Sequence, residues 1–168
     1  LNPLEGLHNN VVGTQILVNQ SVTAGVERFV LISSDKAVRP INVMGASKRF
    51  CELVVQDVSR RFAGRSSPVF SIVRFGNVLG SSGSVLPLFR DQVRRGGPVT
   101  VTHPDVSRFF MTVQEAVHLV LHAGSMARGG EVFVLDMGKP VKIETLARRV
   151  VHSAGLTVRD EDNPTGDI

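Results

Sequence analysis

Three observations in the sequence predict an α/β fold built on a parallel sheet. Two short apolar runs, Arg28–Ser33 and Val69–Phe75, read as strands buried on both faces. A helical segment long enough for a crossover lies between them, which is the strand–helix–strand unit of a parallel sheet. The 168 residues are 42% apolar and 20% charged, enough for a packed core and unlike a disordered chain.

The elements follow in order. Asn2 and Pro3 suit the cap and first position of a helix, with Glu5 where a capping-box acid belongs. Leu4, Leu7, Val11, Val18 and Val22 recur at helical spacing, and Gly25 provides a stop. After the first strand and a loop holding Pro40, a helix is expected from Met44 to Phe62, with an apolar stripe at Phe50, Val54, Val58 and Phe62. The second strand is followed by an ordered loop rich in glycine and serine, Gly76 to Gly83. A helix over Leu86–Arg95, a short strand over Val99–Thr102, a helix from Thr112 to Met126, a strand over Val132–Asp136 and a helix over Ile143–Ala154 complete the chain. The pattern predicts the C-terminal half of a Rossmann-type domain over residues 1–80. A smaller, less regular part is predicted over 81–168. With no initiator methionine and polar residues from Asp160 to Asp167, the chain reads as an internal piece of a longer protein.

Composition excludes several classes of function. There is no tyrosine, so no phenolic acid or base operates here. The one cysteine, Cys51, cannot form an internal disulfide and sits mid-helix as packing, so a reducing, cytoplasmic setting is expected. No apolar run is long enough to span a membrane, leaving attachment only to segments outside this stretch. The net charge of +4 comes from arginines scattered singly or in pairs, with no nucleic-acid signature, so no nucleic-acid partner is expected. His103, His118 and His122 lack metal-ligand company, and no metal site is expected.

In open α/β sheets, ligands bind beyond the carboxyl ends of the strands. Ser33-Ser34-Asp35-Lys36 follows the first strand and Arg74-Phe75-Gly76-Asn77 the second, so both clusters are candidates for one crevice. Met44 and Lys48, four apart, share a helix face. No Gly-x-Gly-x-x-Gly or P-loop occurs, so a dinucleotide's pyrophosphate has no cradle in this stretch.

Several motifs in succession carry a more specific resemblance. They are Asn9-Asn10-Val11-Val12-Gly13-Thr14; Ile32-Ser33-Ser34-Asp35-Lys36-Ala37 with Pro40 and Asn42; Met44-Gly45-Ala46-Ser47-Lys48-Arg49; Arg74-Phe75-Gly76-Asn77-Val78-Leu79-Gly80-Ser81; Gly83-Ser84-Val85-Leu86-Pro87-Leu88-Phe89; and Val106-Ser107-Arg108-Phe109-Phe110-Met111-Thr112. Together they resemble the extended short-chain dehydrogenase/reductase superfamily and, within it, the CapD-like nucleotide-sugar 4,6-dehydratases of polysaccharide biosynthesis.

The resemblance implies NAD as cofactor and a UDP-sugar as substrate, UDP-N-acetylglucosamine or a close relative. It also implies a homo-oligomeric full-length protein. A related 4-epimerase or reductase, or a non-catalytic UDP-sugar-binding piece, stands as the alternative. Carried over, Ser34, Asp35, Lys36, Met44 and Lys48 form the catalytic set. Asp35 is the acid and Lys36 the base, with the exchanged assignment as the alternative; Ser34 contacts the sugar near O4, and one of Asn9 or Asn10 braces the site. The acid is expected to have a carboxyl pKa raised by burial. Lys48, Ser33, Phe75 and Gly76 are implied on the cofactor side. Asn77, Ser84, Val85, Pro87, Thr100, Val101 and Arg108 are implied on the substrate side. Met44 departs from the superfamily's tyrosine: a thioether carries no transferable proton. It resembles the dehydratase branch associated with retention at C5.

Overall fold

The computed structural model describes residues 2–64, 68–81 and 83–168. In chain order the elements are α1 (Pro3–Leu7), a π-helical turn (His8–Val12), α2 (Gly13–Thr23), β1 (Arg28–Ser34), a 3₁₀ turn (Asp35–Ala37), α3 (Val43–Arg61), β2 (Val69–Phe75), β3 (Asn77–Val78), α4 (Val85–Arg94), β4 (Ser107–Arg108), β5 (Phe110–Met111), α5 (Val113–Met126), β6 (Val132–Val134), β7 (Val141–Lys142) and α6 (Ile143–Ser153). They form two compact units. The first comprises Leu1–Gly76 and Gln114–Asp136, the second Asn77–Val113 and Met137–Ile168. Residues 114–136 thus belong with the first unit, and residues 77–113 and 137–168 with the second.

The first unit bears out the α/β class with its parallel sheet of order β1–β2–β6. Arg28 pairs with Val69 and Ser34 with Phe75, so β1 and β2 end in step. β2 is central, and Phe70, Ser71, Ile72 and Val73 are buried there. Val18 from α2 and Cys51, Val55 and Val58 from α3 pack with Leu31, Phe70 and Ile72 of the sheet. Arg28 donates to the Gly124 and Ala127 carbonyls at 2.7 and 3.2 Å, holding the carboxyl end of α5.

The expected stripe on α3 is corrected. Phe50 is 54% exposed, whereas Cys51, Val55 and Val58 are buried. Repeated steps of four drift by about 40° each on a helix of 3.6 residues per turn, so steps of three and four track the core face better. α3 also starts one residue early, where Asn42 Oδ1 accepts from the Gly45 amide at 2.9 Å.

In the second unit β3 pairs parallel with β5, and β4 antiparallel with β7. α4 and α6 enclose Phe89, Val93, Ala147, Val150 and Val151. No strand forms over residues 99–102; Val99 and Val101 pack against that helix core instead.

One carboxylate lies in the interior of the first unit. Glu52 of α3 has no solvent exposure. Its Oε1 accepts from Ser33 Oγ at 2.6 Å and Arg74 Nε at 2.7 Å. Its Oε2 accepts from Arg74 Nη2 at 2.6 Å and Arg49 Nη1 at 2.9 Å. Burial pushes the Glu52 carboxyl upward, but the hydrogen bonds from Arg74, Ser33 and Arg49 outweigh it and hold its pKa below the usual range.

A depressed folded pKa gives stability that is complete above the unfolded value, about 4.3, and is lost as pH falls through the lower folded value. Glu52→Gln sets an amide among the guanidinium donors and is expected to cost about 3 kcal/mol. In denaturant titrations across acidic pH, the variant should lose part of the wild type's acid-side decline. An unchanged slope would remove Glu52 from the acid response.

Candidate active site

The end of β1 runs directly into a polar turn. Ser34 is extended and caps the 3₁₀ turn, its Oγ accepting from the Lys36 amide at 3.3 Å. The same hydroxyl donates to Asp35 Oδ1 at 2.9 Å, and Lys36 Nζ reaches that oxygen at 2.9 Å. Asp35 and Lys36 are each partly open to solvent, while Ala37 behind them is fully buried and anchors the turn.

α3 is brought against this turn by a glycine. A Cβ built on Gly45 would lie 2.5 Å from the Lys36 carbonyl oxygen, closer than real Cβ contacts come. Glycine at this position lets the first turn of α3 touch the backbone of the Asp35–Lys36 turn. One turn on, Lys48 Nζ donates to the Ile32 carbonyl at 3.2 Å, placing Lys48 at the same strand end. Met44, on the same helix row, is 45% exposed and is not core filling. Ser47 is buried; its Oγ donates to the Met44 carbonyl at 2.8 Å and accepts from Asn10 Nδ2 at 2.9 Å. Of the two asparagines expected to brace the site, Asn10 makes this contact, from within the π-helical turn. Cys51 Sγ meets the Asn10 carbonyl at 3.2 Å and is buried, which fits packing.

The remaining first-unit candidates stand nearby. Phe75 ends β2 opposite Ser34, and Gly76 follows it. Ser33 is buried and gives its hydroxyl hydrogen to Glu52, so its side chain faces inward.

The electrostatics differ from expectation at Asp35. Burial pushes its carboxyl up, but hydrogen bonds from Lys36 and Ser34, with the Lys36 charge, hold it below the usual carboxylate range. The turn therefore presents a carboxylate, where a raised pKa was expected. Half-exposure weakens the burial effect, and a cation in hydrogen-bond contact overcomes it.

The second unit carries the expected substrate-side residues. Asn77 Nδ2 donates to the Phe109 carbonyl at 3.1 Å, and the exposed Arg108 bonds its neighbour Ser107's carbonyl at 2.9 Å. Ser84 precedes α4, and its Oγ is buried with no hydrogen-bond partner among the described residues. Pro87 is exposed on α4. Val85 and Val101 pack against the helix core, and Thr100 is clasped by Gln92 through its amide at 3.1 Å and its hydroxyl. Among the described residues no cluster of three or more His, Cys, Asp or Glu could hold a metal, and no helix is long and apolar enough to cross a membrane.

Sequence reasoning missed three positioning contacts. Glu52 meets Ser33 across 19 residues, and no local pattern signals it. Gly45 was read within a motif without its steric role. Asn42 lies three residues before the amide it accepts from, which is the ordinary cap signal.

Residues 1–168 match the family described as "Polysaccharide biosynthesis protein". The chain is 54% identical over 159 residues to "Capsular polysaccharide biosynthesis protein CapD" of Staphylococcus aureus, a match covering 95% of this chain and 26% of that protein. Among solved structures it is similar to Pen from Bacillus thuringiensis at 36% identity and a TM-score of 0.84, over 90% of this chain and 46% of that one. It is also similar to MoeE5, solved in complex with UDP-glucose and NAD, at 26% identity and a TM-score of 0.75, over 88% of this chain and 55% of that one. The chain thus spans about a quarter of the curated relative and about half of each solved one.

Two outcomes are expected from this geometry. Gly45→Ala should cost about 1–3 kcal/mol in thermal or denaturant unfolding, since a methyl group must displace the Lys36 backbone or the helix start. Lys36→Met should move the Asp35 titration upward toward the ordinary carboxylate value in a carbon-detected NMR titration. No movement would show that Lys36 does not hold the carboxylate.

Proposed function

Because the chain belongs to the polysaccharide biosynthesis protein family, we propose that it carries the elimination site of an NAD-dependent UDP-N-acetylhexosamine 4,6-dehydratase, with UDP-N-acetylglucosamine as substrate and the 4-keto-6-deoxy sugar as product. The observation that carries the proposal is the Asp35–Lys36 contact at 2.9 Å beyond the carboxyl end of β1, in a chain without tyrosine.

Elimination needs a base for the C5 proton, acidified by a neighbouring ketone, and an acid for the departing C6 hydroxyl. Lys36 is the base and Asp35 the acid. Both begin in the opposite state, as ammonium and carboxylate. A single proton shift along Nζ–H···Oδ1 gives a neutral amine and a carboxylic acid together. A bound sugar that displaces water favours that neutral pair over the charged one. With the C4 hydroxyl proton passed through Ser34 to solvent, Lys36 takes the C5 proton and Asp35 gives its proton to the C6 oxygen, which leaves as water. Lys36 returns a proton to C5 in the reduction, and solvent restores the resting pair. Ser34 contacts the sugar near O4.

The donors near Lys48 suit the ribose end of a dinucleotide. An ammonium carries three N–H donors, and the Ile32 carbonyl takes one. Lys48 would hold the nicotinamide ribose, with the Ser33 backbone, Phe75 and Gly76 on the cofactor side. A bound NAD would supply the hydride chemistry, oxidation at C4 and reduction at C6. On the second unit, Asn77 and the guanidinium fork of Arg108 are assigned to the UDP pyrophosphate. Ser84, Val85, Pro87, Thr100 and Val101 are assigned to the uridine.

Full-length protein incubated with UDP-N-acetylglucosamine in deuterated water should give a 6-deoxy-4-keto product carrying deuterium at C5, read by NMR. Lys36→Ala should abolish both. Exchange and turnover surviving that substitution would end the base assignment, and an epimerised sugar with its C6 hydroxyl intact would indicate a 4-epimerase.

A further inference from the structure

We propose that Glu52, through Ser33, is a positioning residue that sets the Asp35–Lys36 turn for elimination; the kinetic part of this inference rests on the dehydratase reading above. Glu52 is fully enclosed and receives four hydrogen bonds, two of them from the Arg74 guanidinium. A buried ion pair contributes little net stability compared with an apolar pair of the same volume, because desolvation offsets the attraction. What the carboxylate supplies is direction. Arg74 lies opposite Ser33 in the β1–β2 register, so one carboxyl group ties α3 to the ends of both strands.

The contact falls at a sensitive place. Ser33 is the last core-facing residue before Ser34, Asp35 and Lys36. α3 meets this segment at three successive turns: Gly45 against the Lys36 carbonyl, Lys48 on the Ile32 carbonyl, and Glu52 on the Ser33 hydroxyl. The first two fix the backbone. The Glu52–Ser33 bond fixes which way the strand leaves the sheet, and so where the two reacting side chains stand. A shift of about 1 Å at reacting groups costs on the order of 100-fold in rate. Lys48 keeps its own tie to Ile32, so the elimination should suffer more than the preceding oxidation at C4.

Two alterations test this in the full-length protein. Ser33→Ala removes the hydroxyl alone, and the double substitution Glu52→Leu with Arg74→Met removes the ion pair while keeping apolar volume. For Ser33→Ala, C5 deuterium incorporation and kcat should fall roughly 10- to 100-fold, with KM values for NAD and the UDP-sugar held and reduced nicotinamide accumulating on mixing. A loss confined to the folded fraction would lower every step alike and would not build up that absorbance. Hydrogen–deuterium exchange should also quicken over residues 33–36 and stay unchanged over α5 and β6. A raised KM for NAD with unchanged kcat would overturn the inference and make the Ser33 hydroxyl a cofactor contact. Full turnover in a folded double variant would overturn it as well; if that variant does not fold, Ser33→Ala decides alone. If the wild type shows no turnover, the dehydratase reading fails, and the exchange pattern decides the positioning: local quickening supports it, and no change overturns it.

Discussion

An interior carboxylate survives only where enough donors meet it, and at Glu52 the donors come from both strands as well as its own helix. That requirement fixes more than the carboxylate. Ser33 can reach Glu52 only if β1 ends in step with β2, and Arg74 can reach it only if α3 lies across both strand ends. The same helix placement puts Gly45 over the Lys36 backbone and Lys48 beneath the end of β1. Fold and site are thus two outcomes of one docking geometry. The apolar contacts of Val55, Val58 and Phe70 supply the non-directional drive beneath it.

The polar turn gains its character from contact, not from burial. Asp35 stands where solvent still reaches it, so a hydrogen-bonded ammonium governs its charge. Two side chains of opposite charge are thus held in contact just beyond the end of β1. Met44, one turn before Lys48 on α3, carries no transferable proton.

Much of this was legible in the sequence because it is local. The strand Val69–Phe75 shows as an apolar run between breakers and has those bounds in the structure. The Ser34–Lys36 turn follows from polar residues crowding the end of an apolar strand, and the helices over 85–94, 113–126 and 143–153 follow from their spacing. The failures are equally physical. Two-residue bridges such as Ser107–Arg108 are too short to show any period, and Val99–Thr102 looks like a strand because apolar packing on helices draws the same residue types. The Glu52–Ser33 bond and the Gly45 contact join residues that only the folded backbone brings together. The lowered pKa of Asp35 depends on where a flexible lysine head comes to rest, which no spacing encodes.

The π-helical turn at His8–Val12 bears on how relatives of this chain should be aligned. Such a turn holds one residue more than a regular helix needs, and it is here that Asn10 turns its amide to Ser47. Deleting a single residue there would restore regular winding with the flanking turns nearly in place, and would remove the position from which Asn10 reaches Ser47. A homologue lacking that residue would need another side chain to clasp the serine, so a one-position gap here marks a rewired support for the start of α3.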